Sequence, residues 1–411
     1  MNIDLIRAID KWMGIPACLA LSAAHKVSTW LRKEPLEPSD RHDKPKNILF
    51  IELSEMGSVV LAYPAMQHVK DIYPDARLYF LIFERNRYPL DILKIIPASQ
   101  VITIRMRSTF HFLWSTYQAL KAIHRAGIDT VLDLELFSRF SALLSGLSGA
   151  RRRVGYTPYF EEGLYRGGFI THPVYYNCHQ HMAKNFLALV KALERPREYP
   201  LVKAAIDDKA LEVPLFRSSQ RDLEALRGRL GRINPSVHTA RQLVLLNPGA
   251  GLLPIRAWPV ENYAGLVERI LQRFSETTVV IIGTDDAKAA ADQIMSRVEP
   301  GSCMDFTGKT SFKDLLDLFN LADVLVTADS GPPHFAALTT IKTVVLYGPE
   351  TPVLYAPLGS RTTCLFAGLS CSPCLSAYNH RKSACRDPQC MSAISVDQVF
   401  NVVARLLEES P

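Results

Sequence analysis

Short unbroken apolar runs, each closed by a polar turn and followed by a stretch of helical length, recur along most of this chain. In the second half they are Leu243-Val-Leu-Leu246, 278–282, 324–327 and Thr343-Val-Val-Leu-Tyr347. In the first half Asn47-Ile-Leu-Phe-Ile-Glu52-Leu opens the series, followed by a helical pattern over 59–72, strands over 76–83, 101–104 and 130–134, and a helix over 112–126. Apolar runs without alternation read as strands buried on both faces. Strands alternating with helices predict a parallel sheet with right-handed crossovers. The fold class is therefore α/β, and the first half reads as Rossmann-like. A length of 411 residues is long for one core and comfortable for two domains.

Apolar residues make up 48% and charged residues 21%, as in a folded globular protein. The net charge of +6 is modest. Arg105, Arg107, Lys121, Arg125 and the run Arg151-Arg152-Arg153 concentrate positive charge in the first half, which suits an anionic partner or a solvated face. Eight cysteines without a secretory signal peptide point to a reducing compartment, so the expected location is the cytoplasm. No apolar run reaches the ~18 residues of a membrane-spanning helix. Residues 1–45 read as an appendage. Leu5, Ile6, Ile9, Trp12 and Met13 fall at helical spacing among Arg7 and Lys11, and 17–31 continues the pattern with Lys26 and Trp30. Such a helix suits a membrane interface, or docking on the protein's own surface or a second subunit. A proline- and charge-rich linker is expected over 35–46. The first domain then spans 46–205, a connection 206–242, and the second domain 243–395. A C-terminal helix over 396–411 either closes the second domain or crosses back to the first.

Three turns carry the chemistry. Asn247-Pro-Gly249-Ala-Gly251 follows a strand and suits close backbone approach by a ligand. Asp329-Ser330-Gly331 precedes a short helix, where a capping side chain and exposed N–H groups would suit a diphosphate, and His334 lies one turn in. The plainer reading is an N-cap and a buried histidine. Gly348-Pro349-Glu350-Thr351-Pro352 closes the next strand. Nearer the C-terminus, Cys371-x2-Cys374-x10-Cys385-x4-Cys390, with His380 between, offers four thiols, enough for a tetrahedral structural zinc; free or redox-active thiols are the alternative. The loop after the first strand, Ser54-Glu-Met-Gly57-Ser58, lacks the Gly-x-Gly-x-x-Gly of a dinucleotide fold, which disfavours a nicotinamide-dependent dehydrogenase.

The order of the motifs adds to this. The Asn-Pro-Gly turn, Arg256-Ala-Trp258-Pro259, Gly283-Thr-Asp285-Asp286, Thr307-Gly308-Lys309-Thr310, Asp329-Ser-Gly-x-x-His334 and Tyr347-Gly-Pro-x-x-Pro352 together resemble the heptosyltransferase-like glycosyltransferases of family 9. Gly57-x6-Pro64-Ala65 and Gly155-Tyr156 extend the resemblance into the first half. It implies a GT-B fold, with two Rossmann-like domains facing across a cleft, and inverting transfer of a sugar, typically heptose from ADP-heptose, to a lipid-anchored saccharide without an obligatory metal. Carried over, Asp329, Ser330, Gly331 and His334 would bind the diphosphate and donor sugar, beside the turn residues Asn247, Gly249 and Gly283. Arg256 would replace a phosphate-binding lysine, and Asp286 or Asp285 would sit near the ribose. The cysteines, in a knuckle over 364–391, would be structural. Where the family pattern has Gly-Asp, with the aspartate as base, this chain has Gly57-Ser58. Serine cannot accept a proton at neutral pH without its own base, so Glu55 becomes the substitute, with Glu52 nearby. The implied partners are a nucleotide sugar, a lipid-linked acceptor and, through the N-terminal helix, the inner face of the cytoplasmic membrane; no nucleic acid is implied. Another nucleotide sugar, or sugar-nucleotide binding without transfer, stands as the alternative.

Overall fold

In the computed structural model the described residues are 3–31, 44–136, 138–157, 165–194, 201–251 and 253–409. The expected linker at 35–46 lies outside them up to residue 43. Two compact units divide the chain, Met1–Leu211 and Glu212–Pro411. Unit 1 holds six parallel strands, β1 (Asn47–Ile51), β2 (Arg77–Phe83), β3 (Val101–Ile104), β4 (Thr130–Asp133), β5 (Arg152–Tyr156) and β6 (His172–Val174), in the order β3-β2-β1-β4-β5-β6. Unit 2 repeats the arrangement with β7 (Gln242–Asn247), β8 (Thr277–Ile281), β9 (Cys303–Asp305), β10 (Val324–Ala328), β11 (Lys342–Tyr347) and β12 (Thr362–Phe366), in the order β12-β11-β10-β7-β8-β9. Each sheet thus reverses its winding at one point, between β1 and β4 and between β7 and β10. Ligands of open α/β sheets bind outside the carboxyl ends of strands at such a switch point.

The helices of unit 1 are α1 (Ile3–Trp12), α2 (Gly14–Leu31), α3 (Met56–Leu61), α4 (Tyr63–Ile72), α5 (Tyr88–Leu93), α6 (Thr109–Arg125), α7 (Arg139–Leu147) and α8 (Met182–Ala192). The single helix expected over 59–72 is two. Pro64 has no N–H to continue the ladder, so α3 closes with Ala62 N–H on Ser58 and a new helix begins. Leu49, Ile51, Ala119, Ile123 and Leu144 join in one core cluster, which places α6 and α7 on the same face of the sheet. The N-terminal helices dock on α7 of their own unit. Asp10 accepts from the Phe140 N–H at 2.9 Å and pairs with Arg139, and Ser22 Oγ accepts from the Gly168 N–H at 2.7 Å. The Arg151–Arg153 run is largely not a solvated face: Arg152 and Arg153 are buried in β5, where Arg153 donates to Phe169 O at 2.8 Å.

Unit 2 adds α9 (Gln220–Gly231), α10 (Val260–Arg273), α11 (Lys288–Met295), α12 (Phe312–Leu321), α13 (Pro332–Ala336), α14 (Pro352–Tyr355), α15 (Gln389–Ser392) and α16 (Val396–Glu408). Within the segment read as a connection, α9 is fastened to α12 by Arg229–Asp314 (3.0 Å) and Lys313–Asp222 (2.9 Å). The C-terminal helix closes unit 2. Val399, Val403 and Leu407 enter its core, and Arg269 and Arg273 of α10 pair with Asp397 and Glu408.

Candidate active site

In unit 2 the sequence motifs meet at the switch point. Asn247 ends β7, and its Nδ2 donates to Thr327 Oγ1 of β10 at 3.1 Å, while its Oδ1 accepts from the Gly249 N–H at 3.3 Å. Its position is set from the core. Trp258 is buried with Nε1 donating to Ile394 O at 2.8 Å, and its ring stands edge-on to Tyr263, whose hydroxyl donates to Asn247 O at 3.1 Å. Gly283, after β8, has φ +151°, and a Cβ there would lie 2.6 Å from the Ala287 Cβ. Only glycine fits. Beside it Thr284 donates to the Asp286 carboxylate, which is exposed.

Arg256 lies at the centre. Its Nη1 donates to Asp329 O at 3.3 Å and stands 3.5 Å from Asp329 Oδ2, and its Nη2 donates to Glu350 Oε2 at 3.0 Å. Glu350 is only 1% exposed and Asp329 5%. The sequence reading missed Glu350, although it stands in a quoted turn; its one signal was an acidic residue directly after a buried strand. The guanidinium holds both carboxylates. Around Asp329 the expected capping geometry is absent. Gly331 is the N-cap of α13 and no side chain caps it, while Ser330 Oγ donates back to Ala328 O at 3.1 Å. Pro332 and Pro333 occupy the first two helical positions, which removes two of the N–H groups a helix terminus would present to an anion. His334 is buried on the same helix.

The four cysteines lie in different settings. Cys371 and Cys385 are exposed, Cys374 Sγ lies 3.2 Å from Ser383 Oγ, and Cys390 is buried in the core beside Met391 under Gly348. Among the described residues no three His, Cys, Asp or Glu side chains gather as ligands. The segment packs beside the donor turn, with the Cys374 and Leu375 N–H groups both donating to Pro349 O at 2.9 Å.

In unit 1 the switch point holds a second polar cluster. Glu135, just past β4, accepts with one oxygen from the Leu53 N–H (2.9 Å), the Ser54 N–H (3.1 Å) and Ser54 Oγ (3.0 Å). Asn86 Nδ2 donates to the Leu53 and Ser54 carbonyls at 2.8 and 2.9 Å, so the loop after β1 is gripped on both edges. Asp133, buried against Arg166 and Ser141, fixes the end of β4 by accepting from the Glu135 N–H at 3.2 Å. This clamp sets where Glu55 and Ser58 stand. Glu55 precedes α3, and Ser58 Oγ donates to its Oε2 at 3.2 Å, so the two catalytic candidates are brought together. Neither Glu135 nor Asn86 was singled out from sequence, since nothing local marks them.

Burial raises Glu52 well above the usual carboxyl range, with Glu135 and Glu55 adding to the rise. Burial likewise pushes Glu135 from 4.5 to about 7, against the pull of the Leu53 N–H. A carboxyl raised on folding favours the folded state in its protonated form. Its contribution is complete below about pH 4.5 and is lost as pH rises through about 7. The melting temperature should therefore fall between about pH 5 and pH 8. Glu135→Gln keeps an acceptor oxygen for the loop and should flatten that fall; parallel pH–melting curves for the two proteins would contradict the assignment.

A family model described as glycosyltransferase family 9 (heptosyltransferase) matches residues 117–384. The lipopolysaccharide core heptosyltransferase OpsX of Haemophilus influenzae is 22% identical over 320 residues, 77% of this chain and 82% of that protein. Lipopolysaccharide heptosyltransferase 3 of Escherichia coli K12 is 22% identical over 86% of this chain and 96% of its own length. Among solved structures, E. coli ADP-heptose lps heptosyltransferase II superposes with a TM-score of 0.67 at 20% identity, over 89% of this chain and all of that one. This structural likeness supports the fold, two Rossmann-like units of the GT-B class.

Proposed function

Because the chain belongs to glycosyltransferase family 9, we propose that this glycosyltransferase moves heptose from ADP-heptose onto a lipid-linked saccharide of lipopolysaccharide, with inversion, at the inner face of the cytoplasmic membrane. The convergence of Asn247, Arg256 and Asp329 at the switch point of unit 2 carries the reading, supported by the heptosyltransferase relatives. In this reading unit 2 takes the nucleotide sugar, with Asn247, Gly249 and Gly283 in the turns that border it. Ser330, Gly331 and His334 line the diphosphate and sugar, and Asp286 meets the ribose. Arg256, anchored by Glu350, offsets the charge that collects on the leaving diphosphate. Unit 1 takes the acceptor. Its hydroxyl oxygen attacks the anomeric carbon as its proton passes to Glu55, the bond from that carbon to the phosphate oxygen breaks, and ADP leaves with the electron pair. The reading assigns no metal a part in the transfer.

One observation favours a second reading. Ser58, at the position where the resemblance places a base, donates to Glu55 and cannot itself take a proton, as in a protein that binds the donor without transferring it. A panel of ADP-, UDP- and GDP-sugars offered with acceptor separates the outcomes. Turnover confined to the ADP sugar is expected. Turnover with another nucleotide would move the donor assignment, and donor binding without turnover would favour the second reading.

A further inference from the structure

Helix α6 has two apolar stripes, and only one of them is used. Ser115, Ala119 and Ile123 face the sheet. Phe110, Leu113, Trp114 and Tyr117, at positions i, i+3, i+4 and i+7, point the other way and are 72, 62, 56 and 55% exposed. That spacing ordinarily marks a core-facing stripe. Lys121 and Arg125 continue the outer stripe four and eight residues after Tyr117, and both are exposed. Arg105 and Arg107 precede the helix, with Glu84 as the acidic group they share. Between residues 101 and 128 the sequence has no Asp or Glu at all. The outer face is thus aromatic at one end, basic at the other, and without acidic residues throughout.

Its surroundings extend it. Phe112 of α6 packs on Phe140 of α7 with ring centroids 5.1 Å apart, and α7 carries α1 and α2, on which Trp12, Met13, Trp30 and Leu31 are exposed. Through α7, α6 and the N-terminal helices are thus linked within unit 1. A second copy of the chain paired antiparallel would set each basic end beside the other's aromatic end, and the test below separates that outcome from lipid docking. A helix with exposed aromatic rings and basic residues on its outer face fits the headgroup boundary of a bilayer carrying negative charge.

We propose that the outer face of α6, together with the exposed positions of α1 and α2, docks on an anionic lipid surface, its aromatic end entering the headgroup boundary and its Lys and Arg side chains meeting lipid phosphates. The inference deepens the membrane part of the proposed function by naming the surface, and it is tested without donor or acceptor. The full chain is sedimented with vesicles rich in phosphatidylglycerol and with vesicles of phosphatidylcholine alone. Partition onto the first, weakening as salt rises, is expected. Lys121→Gln with Arg125→Gln should lower it on the order of 30-fold, since each basic residue near such a surface contributes about five-fold. Phe110→Ser with Trp114→Ser should lower it on both vesicle types while the melting temperature holds, because these side chains are already in water. Unchanged partition of both double variants, with loss only in Trp12→Ser/Trp30→Ser, would overturn the role of α6. So would a dimer that the α6 variants convert to monomer with no change in partition. Transfer to a delipidated acceptor in solution is measured separately, so failure of that assay would count against the transferase reading and not against lipid docking.

Discussion

Replacing Arg256 by alanine should destabilise the protein by about 3–5 kcal/mol, the largest effect expected of any single substitution in the site. Glu350 and Asp329 are both buried and both lie against this guanidinium. Without it two carboxylates stand close together in a low-dielectric setting, and they must either protonate or open the site to water. Urea unfolding reads the loss directly, and a change under about 1 kcal/mol would mean the ion cluster has little energetic weight. Two further variants separate structure from binding. Arg256→Lys keeps the charge but not the fork that spans both carboxylates, so it should recover only part of the stability. Arg256→Met with Glu350→Gln removes one of the two stranded charges and should restore part of the stability. ADP affinity should nonetheless stay about tenfold weaker, because a charge-assisted contact to phosphate is gone. Restored affinity in that double variant would make Arg256 a structural residue only.

The second large effect belongs to Glu55. Glu55→Gln is expected to lower kcat by on the order of 10²–10⁴ while the donor dissociation constant holds, since an amide keeps the shape of the side chain and cannot take a proton. Turnover equal to wild type would remove Glu55 as the base. Ser58→Ala tests the partner. It deletes the hydroxyl that donates to Glu55 at 3.2 Å, and as a positioning contact it should cost far less than the loss of the carboxylate, with the pH profile of kcat moving as that hydrogen bond is lost.

Much of this architecture is visible in local sequence. The strands at 101–104 and the helix at 312–321 fall where the apolar runs and helical spacing place them, because buried parallel strands and amphipathic helices leave their period in any window of ten residues. Strands β5, β6, β9 and β12 left weaker marks. Three of them are sheet edges or very short, and β5 opens on two arginines that read as solvated charge but are buried. The cysteine spacing could be read from the chain, but that Cys390 enters the apolar core while Cys371 and Cys385 stay exposed could not.

The turns at 247–251, 329–331 and 348–352 could be read as strand ends from the chain alone, and with them the region proposed for the donor. What the chain alone did not provide was the company those turns keep. Arg256 finds Glu350 across 94 residues, and the Leu53 N–H finds Glu135 across 82. The second pair exists because the winding of the sheet reverses between β1 and β4, which sets the loop after one strand beside the end of the other; at the matching reversal in unit 2 Arg256 meets Asp329 after β10 and reaches on to Glu350 after β11. Local sequence fixes the period of each element through burial of its own side chains. Which strand ends become neighbours is decided only when the whole sheet closes its core, and the charges that stand guard at both candidate sites follow from that.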